Sequence, residues 1–256
     1  GHMIENELSK LEHFFERGAR YLTLTWNNST DWATSAFDEV FNPKLSRKGL
    51  SSFGKDVIQR MNDLGMMVDV SHAGERTFWD AIELSSKPII ASHSCAATLC
   101  PTQRNLKDDQ IKAIAASNGV VQINFYSEFL DPKFPRNKEA FLLKHHKEKT
   151  ELMEGGMIDY WADDYLLTKY PEELNAFRAP LSLLIDHIEY VIDLVGIDYV
   201  GLGSDFDGMK APPLELDDVS TYPLITKSLI ERGYNEEDLI KILGANFLRV
   251  LQENET

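Results

Sequence analysis

The sequence has few cysteines and no long apolar run. Its two cysteines, Cys95 and Cys100, are too few for a disulfide framework and form no Cys-based zinc site, so we expect free thiols. No apolar run approaches the roughly 20 residues of a membrane-spanning helix. No signal-peptide pattern begins the chain. These absences predict a protein without a membrane segment and, for the chain as given, a cytoplasmic location.

Positive charge is also scarce. The chain has 26 Lys and Arg against 41 Asp and Glu, a net charge of −15. Nucleic acids and anionic membranes attract basic surfaces, so both are excluded as expected partners. An acidic surface serves solubility and is compatible with divalent cations.

Short β-like runs alternate with helix-like segments along the 256 residues. This alternation predicts one α/β domain with a parallel sheet. Residues 1–3 have the pattern of a cloning remnant, which leaves a single domain over 4–256. Residues 127–180 are rich in charge and aromatics and predict a mostly helical insertion. The predicted strands lie near residues 20–26, 66–70, 88–91, 120–125 and 199–204.

Two Ser-His pairs follow neighbouring predicted strands. Ser71-His72 follows the second strand and Ser92-His93 the third, with a helix-like segment near 75–85 between them. A strand-helix-strand unit makes parallel strands, so both histidines are expected at one edge of the sheet. Neutral imidazole is a common metal ligand, and two can converge on one ion. The alternative is that each histidine only closes a turn.

Charged residues follow other strands at the same predicted edge. Asp205 and Asp207 follow the last strand, where a carboxylate could hold a metal-bound water or accept its proton. Asp207 also fits an Asx turn closed by Gly208. Arg104, in the loop after the His93 strand, could bind a substrate carboxylate in bidentate fashion or form a surface salt bridge.

Taken together, these motifs resemble the membrane (renal) dipeptidase family of metallopeptidases. The segments that carry the resemblance are, in order, RYLTLTW, GLSSFGKDVIQRMNDLGMMVDVSH, KPIIASHSCAATLCPTQRN, VVQINFY, DHIEYV and GSDFDG. The resemblance implies a (β/α)8 TIM-type barrel of the amidohydrolase kind. It also implies a binuclear Zn2+ site that hydrolyses dipeptides, including those with a D-residue at the carboxyl end.

The resemblance also implies roles for individual residues. His72 and His93 would bind one zinc, and Arg104 would bind the dipeptide carboxylate. Asp205 would contact the substrate and handle protons as the catalytic residue. Tyr126 would line the substrate pocket.

The chain departs from this family in three respects. The His-x-Asp pair of the first strand and the bridging Glu of the third have no counterpart at a strand end. The five strands match the last five of eight, so the barrel is expected to be incomplete. Trp26 stands where the best-known members carry a substrate-contacting His, with Asn27 beside it as a conceivable substitute.

These departures set the functional expectations. We expect one zinc or none per chain, weak or absent peptidase activity, and association with a second copy or with an upstream complementing fragment. One alternative is an inactive fragment or a non-catalytic subunit that binds metal or a partner. Another is a different amidohydrolase-type barrel acting on phosphoesters or cyclic amides, because Arg104 does not distinguish a carboxylate from a phosphate.

Overall fold

The computed structural model describes residues 1–255 and contains one five-stranded parallel sheet with strand order β1-β2-β3-β4-β5. All five predicted strands are confirmed, and each is shorter than its apolar run. Asp69 pairs with Thr23 on one side and with Ile90 on the other, which aligns the ends of the first three strands. The strands are β1 Tyr21–Thr23, β2 Met67–Asp69, β3 Ile90–Ala91, β4 Val120–Ile123 and β5 Val200–Leu202.

Fourteen α-helices lie between and after the strands in residues 1–255. Short 3-10 turns and one π-helical stretch, Lys241–Ala245, complete the described secondary structure. The helices are α1 Leu8–Glu16, α2 Ala36–Phe41, α3 Ser52–Leu64, α4 Glu75–Leu84, α5 Asp108–Ala116, α6 Ser127–Leu130, α7 Phe134–Lys144, α8 His146–Glu154, α9 Asp159–Lys169, α10 Pro171–Asn175, α11 Leu181–Val195, α12 Tyr222–Glu231, α13 Glu236–Ile240 and α14 Asn246–Glu255.

Local signals explain how the chain enters β2. The Ser51 hydroxyl caps α3 by accepting from the amide of Gly54 at 3.2 Å. The helix ends at Gly65, whose φ of 78° lies in the left-handed region that glycine adopts without steric cost. The chain therefore reverses at Gly65 and runs directly into the buried strand that leads to His72.

The two faces of the sheet are covered differently. Val68, Val121 and other residues on one face pack against α3, α4, α5 and α11 in the main hydrophobic core. On the opposite face, Met67, Ile90 and Val120 pack beneath Val250 of α14. Helix α14 therefore covers part of this second face.

Two further features lie outside the sheet. The segment after Trp26 is irregular up to α2, whose N-cap Ser35 accepts from the amide of Asp38 at 3.1 Å. Near the end of the chain, Gly244 leaves helical geometry between α13 and α14.

The segment 127–180 forms α6 to α10, and several of these helices share a small hydrophobic core of their own. Phe134, Phe141 and Leu166 are buried in it. Residues 2–4 form a 3-10 turn with Ile4 buried. The interpretation of residues 1–3 as a cloning remnant, and that of 127–180 as an insertion in a single domain over 4–256, remain predictions. Within residues 1–255 no helix is both long and apolar enough to cross a membrane.

Candidate active site

The ends of β2 and β3 bring His72 and His93 together. Their ring centroids are 4.9 Å apart, with 60° between the ring planes. His72 has a φ of 66°, in the left-handed region. Its carbonyl oxygen accepts from the amide of Ala36 at 2.8 Å and from the hydroxyl of Thr25 at 3.1 Å. These two bonds hold the backbone in a conformation that is costly for a non-glycine residue.

The fully buried carboxylate of Asp69 joins the two strand ends. It accepts from the amides of Ser71 at 3.0 Å and Ser92 at 2.9 Å, and from the hydroxyl of Ser92 at 2.6 Å. It also accepts from the hydroxyl of Thr23 at 2.5 Å. Because four donors satisfy it, this buried charge can fix the backbone on which both histidines stand.

Each imidazole uses its Nδ1 atom for a local hydrogen bond. Nδ1 of His93 lies 2.7 Å from the hydroxyl of Ser92, and Nδ1 of His72 lies 3.1 Å from Oδ1 of Asn27. Burial lowers the pKa of both histidines, and the positive charge of Arg104 lowers each pKa further. Both rings are therefore neutral near pH 7, the form that binds metals.

Arg104 lies beside the pair in a buried position. Only 6% of its surface is exposed, and its Nε atom has no hydrogen-bond partner within residues 1–255. One terminal nitrogen donates to the carbonyl of His93 at 3.4 Å, and the guanidinium stacks over Phe129 at 5.3 Å. Burial lowers its pKa to about 10, and the guanidinium still remains charged at neutral pH.

Each histidine of the pair lines a different cavity. His72 and Arg104 line one of about 270 Å³, together with Ser94 and Asn105. His93 lines the other, of about 380 Å³. The guanidinium with the unpaired Nε thus adjoins a space large enough for a small ligand.

Asp205 lies in the second cavity. Its φ is 59°, and its Oδ2 accepts from Nδ2 of Asn124 at 3.2 Å. Strand β5 ends at Leu202, so neither Asp205 nor Asp207 lies on it. Asp207 instead lies exposed in a 3-10 turn closed by Gly208.

Tyr126 and Trp26 lie at the margin of the site. The hydroxyl of Tyr126 donates to Glu128 at 2.8 Å, and Tyr126 lines neither of the two cavities at the histidine pair. Trp26 is 52% exposed, and its ring meets that of Tyr160 of α9 edge-on at 6.4 Å. The helical segment therefore reaches the rim of the site through an aromatic contact.

Comparison with known proteins identifies the family. A family model described as membrane dipeptidase, peptidase family M19, matches residues 1–256. This chain belongs to the membrane dipeptidase family. The resemblance inferred from the sequence motifs is thereby confirmed.

Individual relatives agree with this membership. An uncharacterized dipeptidase of Schizosaccharomyces pombe is 34% identical over 255 residues, 99% of this chain and 51% of that protein. The probable dipeptidase PvdM from Pseudomonas aeruginosa superposes with a TM-score of 0.79 at 30% identity, over 98% of this chain and 66% of that one. A metallo peptidase from Rhodobacter sphaeroides, liganded with a phosphinate mimic of L-Ala-D-Ala, superposes with a TM-score of 0.75 at 26% identity. The match covers 97% of this chain and 60% of that one.

The chain spans about half the length of the Schizosaccharomyces pombe relative and less than 70% of the length of each of these two solved structures. This member of the membrane dipeptidase family thus has an α/β fold with five parallel strands. The solved structures that it resembles are TIM-type barrels. The expectation of a partial barrel is confirmed in that sense.

Membership of a metallopeptidase family implies a metal, so the residues can be tested for fit. Nε2 of His72 and Nε2 of His93 have no hydrogen-bond partner among the described residues, and two adjacent imidazoles suit one zinc ion. Across residues 1–255, however, no group of three His, Cys, Asp or Glu side chains could hold a metal. The described part of the chain therefore fits two ligand positions and not a complete centre.

Sequence reasoning missed Asp69 and Ser92 as parts of this site. Both stand inside the quoted motifs, in VDVSH and ASH. A polar residue within an otherwise apolar strand run was the available signal, because a buried carboxylate requires several donors around it.

Proposed function

We propose that the chain is part of a zinc-dependent dipeptidase and contributes two zinc ligands, His72 and His93, together with the group that binds the substrate carboxylate. One observation carries the proposal. Two neutral imidazoles with unpaired Nε2 atoms adjoin the buried, incompletely bonded guanidinium of Arg104. A metal and an anionic substrate end would be held side by side in this arrangement.

Each residue would have a defined task. When bound, zinc supplies a Lewis acid that polarises a carbonyl and lowers the pKa of water toward ~7. Arg104 would bind the carboxylate of the dipeptide through its fork of donors, which fixes the distance from that end to the scissile bond. Asp205, with Oδ2 held by Asn124, would receive a proton and pass it to the leaving amine.

The preference for a D-residue at the carboxyl end is also proposed. The Rhodobacter sphaeroides neighbour is liganded with a phosphinate mimic of L-Ala-D-Ala. The cavities beside Arg104 and Asp205, of about 270 and 380 Å³, have the volume for small dipeptide groups.

The other metal ligands are proposed to come from polypeptide beyond the described residues, from an upstream complementing fragment or from a second copy of the chain. By itself the chain would then bind one zinc or none and show weak or no hydrolysis. A second candidate, a non-catalytic subunit that binds metal or a partner, is favoured by the lack of any three-residue metal group in residues 1–255.

Hydrolysis of Gly-D-Ala with added zinc tests the proposal. We expect slow turnover at most for the chain alone and faster turnover after addition of the segment that precedes the matched region in the dipeptidase relatives. Turnover should be lost in His93→Ala under both conditions. Unchanged hydrolysis in His72→Ala and His93→Ala would refute the proposed ligands, and no turnover even with that segment would favour the non-catalytic subunit.

A further inference from the structure

Ser92 forms a bridge between Asp69 and His93. Its hydroxyl donates to Oδ2 of Asp69 at 2.6 Å and lies 2.7 Å from Nδ1 of His93. A serine hydroxyl has one proton, and an ionised carboxylate only accepts. Because that proton is used on Asp69, the second contact requires a proton on Nδ1 of His93. The Nε2 atom of His93 therefore carries the lone pair.

Asn27 places the same requirement on His72. The carbonyl oxygen of its side-chain amide lies 3.1 Å from Nδ1 of His72, and a carbonyl oxygen can only accept. His72 therefore donates from Nδ1, and its Nε2 also carries the lone pair.

His187 shows that the fold does not impose this tautomer on every buried histidine. Its Nδ1 accepts from the amide of Ala96 at 3.2 Å, and its Nε2 lies 3.2 Å from the carbonyl oxygen of Leu130. An amide N–H can only donate and a carbonyl can only accept, so the proton of His187 is on Nε2. The chain thus contains an internal reference with the opposite tautomer.

We propose that Ser92, oriented by Asp69, and Asn27 are positioning residues that fix His93 and His72 as Nδ1–H tautomers, so that both Nε2 lone pairs face one metal ion. This inference rests on the proposed zinc site. It adds that the two nitrogens of each ring have different roles: Nδ1–H donates the hydrogen bond that orients the ring, and Nε2 binds the metal.

The orientation of Asp69 supports the bridge. Its Oδ1 accepts from the amides of Ser71 and Ser92, so the carboxylate cannot rotate away without breaking two backbone bonds. The Ser92 hydroxyl therefore has a fixed acceptor in Asp69. Its own oxygen lone pair is then directed at Nδ1 of His93.

The tautomers can be measured directly in the metal-free chain. Long-range 1H–15N correlation spectra of protein labelled with 15N-histidine, at pH 7.5, distinguish protonated from unprotonated ring nitrogens. We expect Nδ1–H for His72 and His93 and Nε2–H for His187. A wild-type spectrum with His93 as the Nε2–H tautomer would overturn the inference, and this measurement requires no variant.

Substitutions then separate a positioning role from a merely structural one. Ser92→Ala should shift His93 toward the Nε2–H tautomer and weaken Zn2+ binding by about 10- to 100-fold. Ser92→Thr, which keeps the hydroxyl, should restore both. Ser71→Ala is the matched control, because the Ser71 hydroxyl contacts the backbone amide of His93 and the hydroxyl of Ser94 but no histidine ring nitrogen. Equal effects of Ser92→Ala and Ser71→Ala on tautomer and affinity would contradict the proposal.

A zinc titration followed in the same spectra distinguishes the two levels of the proposal. Changes at Nε2 of His72 and His93 support the zinc site and the inference together. Nδ1–H tautomers without any response to zinc would overturn the proposed zinc site itself. Zinc binding by rings that began as Nε2–H tautomers would overturn only the positioning role.

Discussion

The ring centroids of His72 and His93 lie 4.9 Å apart although the two residues follow different strands. Parallel pairing of β2 with β3 places both strand ends at one edge, and Asp69 joins those ends through the amides of Ser71 and Ser92. The pair is therefore held in place by backbone pairing and one buried carboxylate.

The first prediction concerns metal stoichiometry. The wild-type chain should bind at most one zinc, and His72→Ala or His93→Ala should each abolish it, because one imidazole alone is a weak site. Equilibrium dialysis with Zn2+ measures the ratio. His146→Ala is the control, since His146 is exposed on α8 and should leave the ratio unchanged. Two zincs bound by one chain would refute the prediction.

The second prediction concerns Arg104. Arg104→Lys keeps the charge but loses the planar fork, and it should weaken binding of Gly-D-Ala by about 10- to 100-fold, the value of a charge-assisted bond to a buried carboxylate. Isothermal titration with zinc present measures this. Gly-D-Ala amide, which lacks the carboxylate, should bind wild type and variant equally.

A matched arginine controls for general damage. Arg178 is also largely buried, but its guanidinium already donates to the carbonyls of Pro212 and Pro213 at 2.7 Å each. Arg178→Lys should therefore lower the free energy of unfolding. The difference in affinity between Gly-D-Ala and Gly-D-Ala amide should stay as in wild type. A loss of that distinction in Arg178→Lys as well would show that Arg104 does not recognise the carboxylate.

The third prediction concerns stability in acid. Burial lowers the pKa of His187 from its ordinary value of 6.5 to about 4. Between these values the unfolded chain binds the proton and the folded chain does not, so the free energy of unfolding falls as pH falls from about 7 to 4. The complete contribution of this group is about 3 kcal/mol.

His187→Gln tests this contribution. Glutamine can still accept from the amide of Ala96 and donate to Leu130, but it does not titrate in this range. Urea unfolding at several pH values should give a shallower decline for this variant than for wild type. His146→Gln, at an exposed position, should follow the wild-type curve. Parallel curves for wild type and His187→Gln would contradict the prediction.

Much of the sheet and the histidine pair could be predicted from the sequence. Alternation of short apolar runs with amphipathic segments determined the five strands, and parallel pairing then placed His72 and His93 at one edge. The bonds that orient them could not be predicted, because Asn27 lies 45 residues from His72 in the chain and Ser92 lies 23 from Asp69. Only tertiary structure shows which of many polar side chains meet.

The packing of α14 on the second face of the sheet also could not be predicted from the sequence. Apolar residues at helical spacing near the end of the chain indicate a helix with one apolar face, but they do not show which surface that face contacts. In the structure Val250 of α14 packs on Met67, Ile90 and Val120. Gly244 leaves helical geometry and separates α14 from α13.

The last prediction concerns self-association. In residues 1–255, β1 and β5 each have only one neighbouring strand, so the sheet has two open edges, and open edges favour pairing with another chain. A groove of about 640 Å³ lies beside Tyr222, Ile230 and Leu243, and the last two are 56% and 44% exposed. We expect concentration-dependent association of the 29.1 kDa chain in sedimentation velocity.

Substitutions locate the surface that associates. Leu243→Asp places a charge in the groove next to the β5 side of the molecule and should shift the sample toward monomer. Leu143→Asp changes an even more exposed leucine on α7, 65% exposed and away from both sheet edges, and should leave association unchanged. A single 29.1 kDa species for wild type across a hundredfold range of concentration would contradict the prediction.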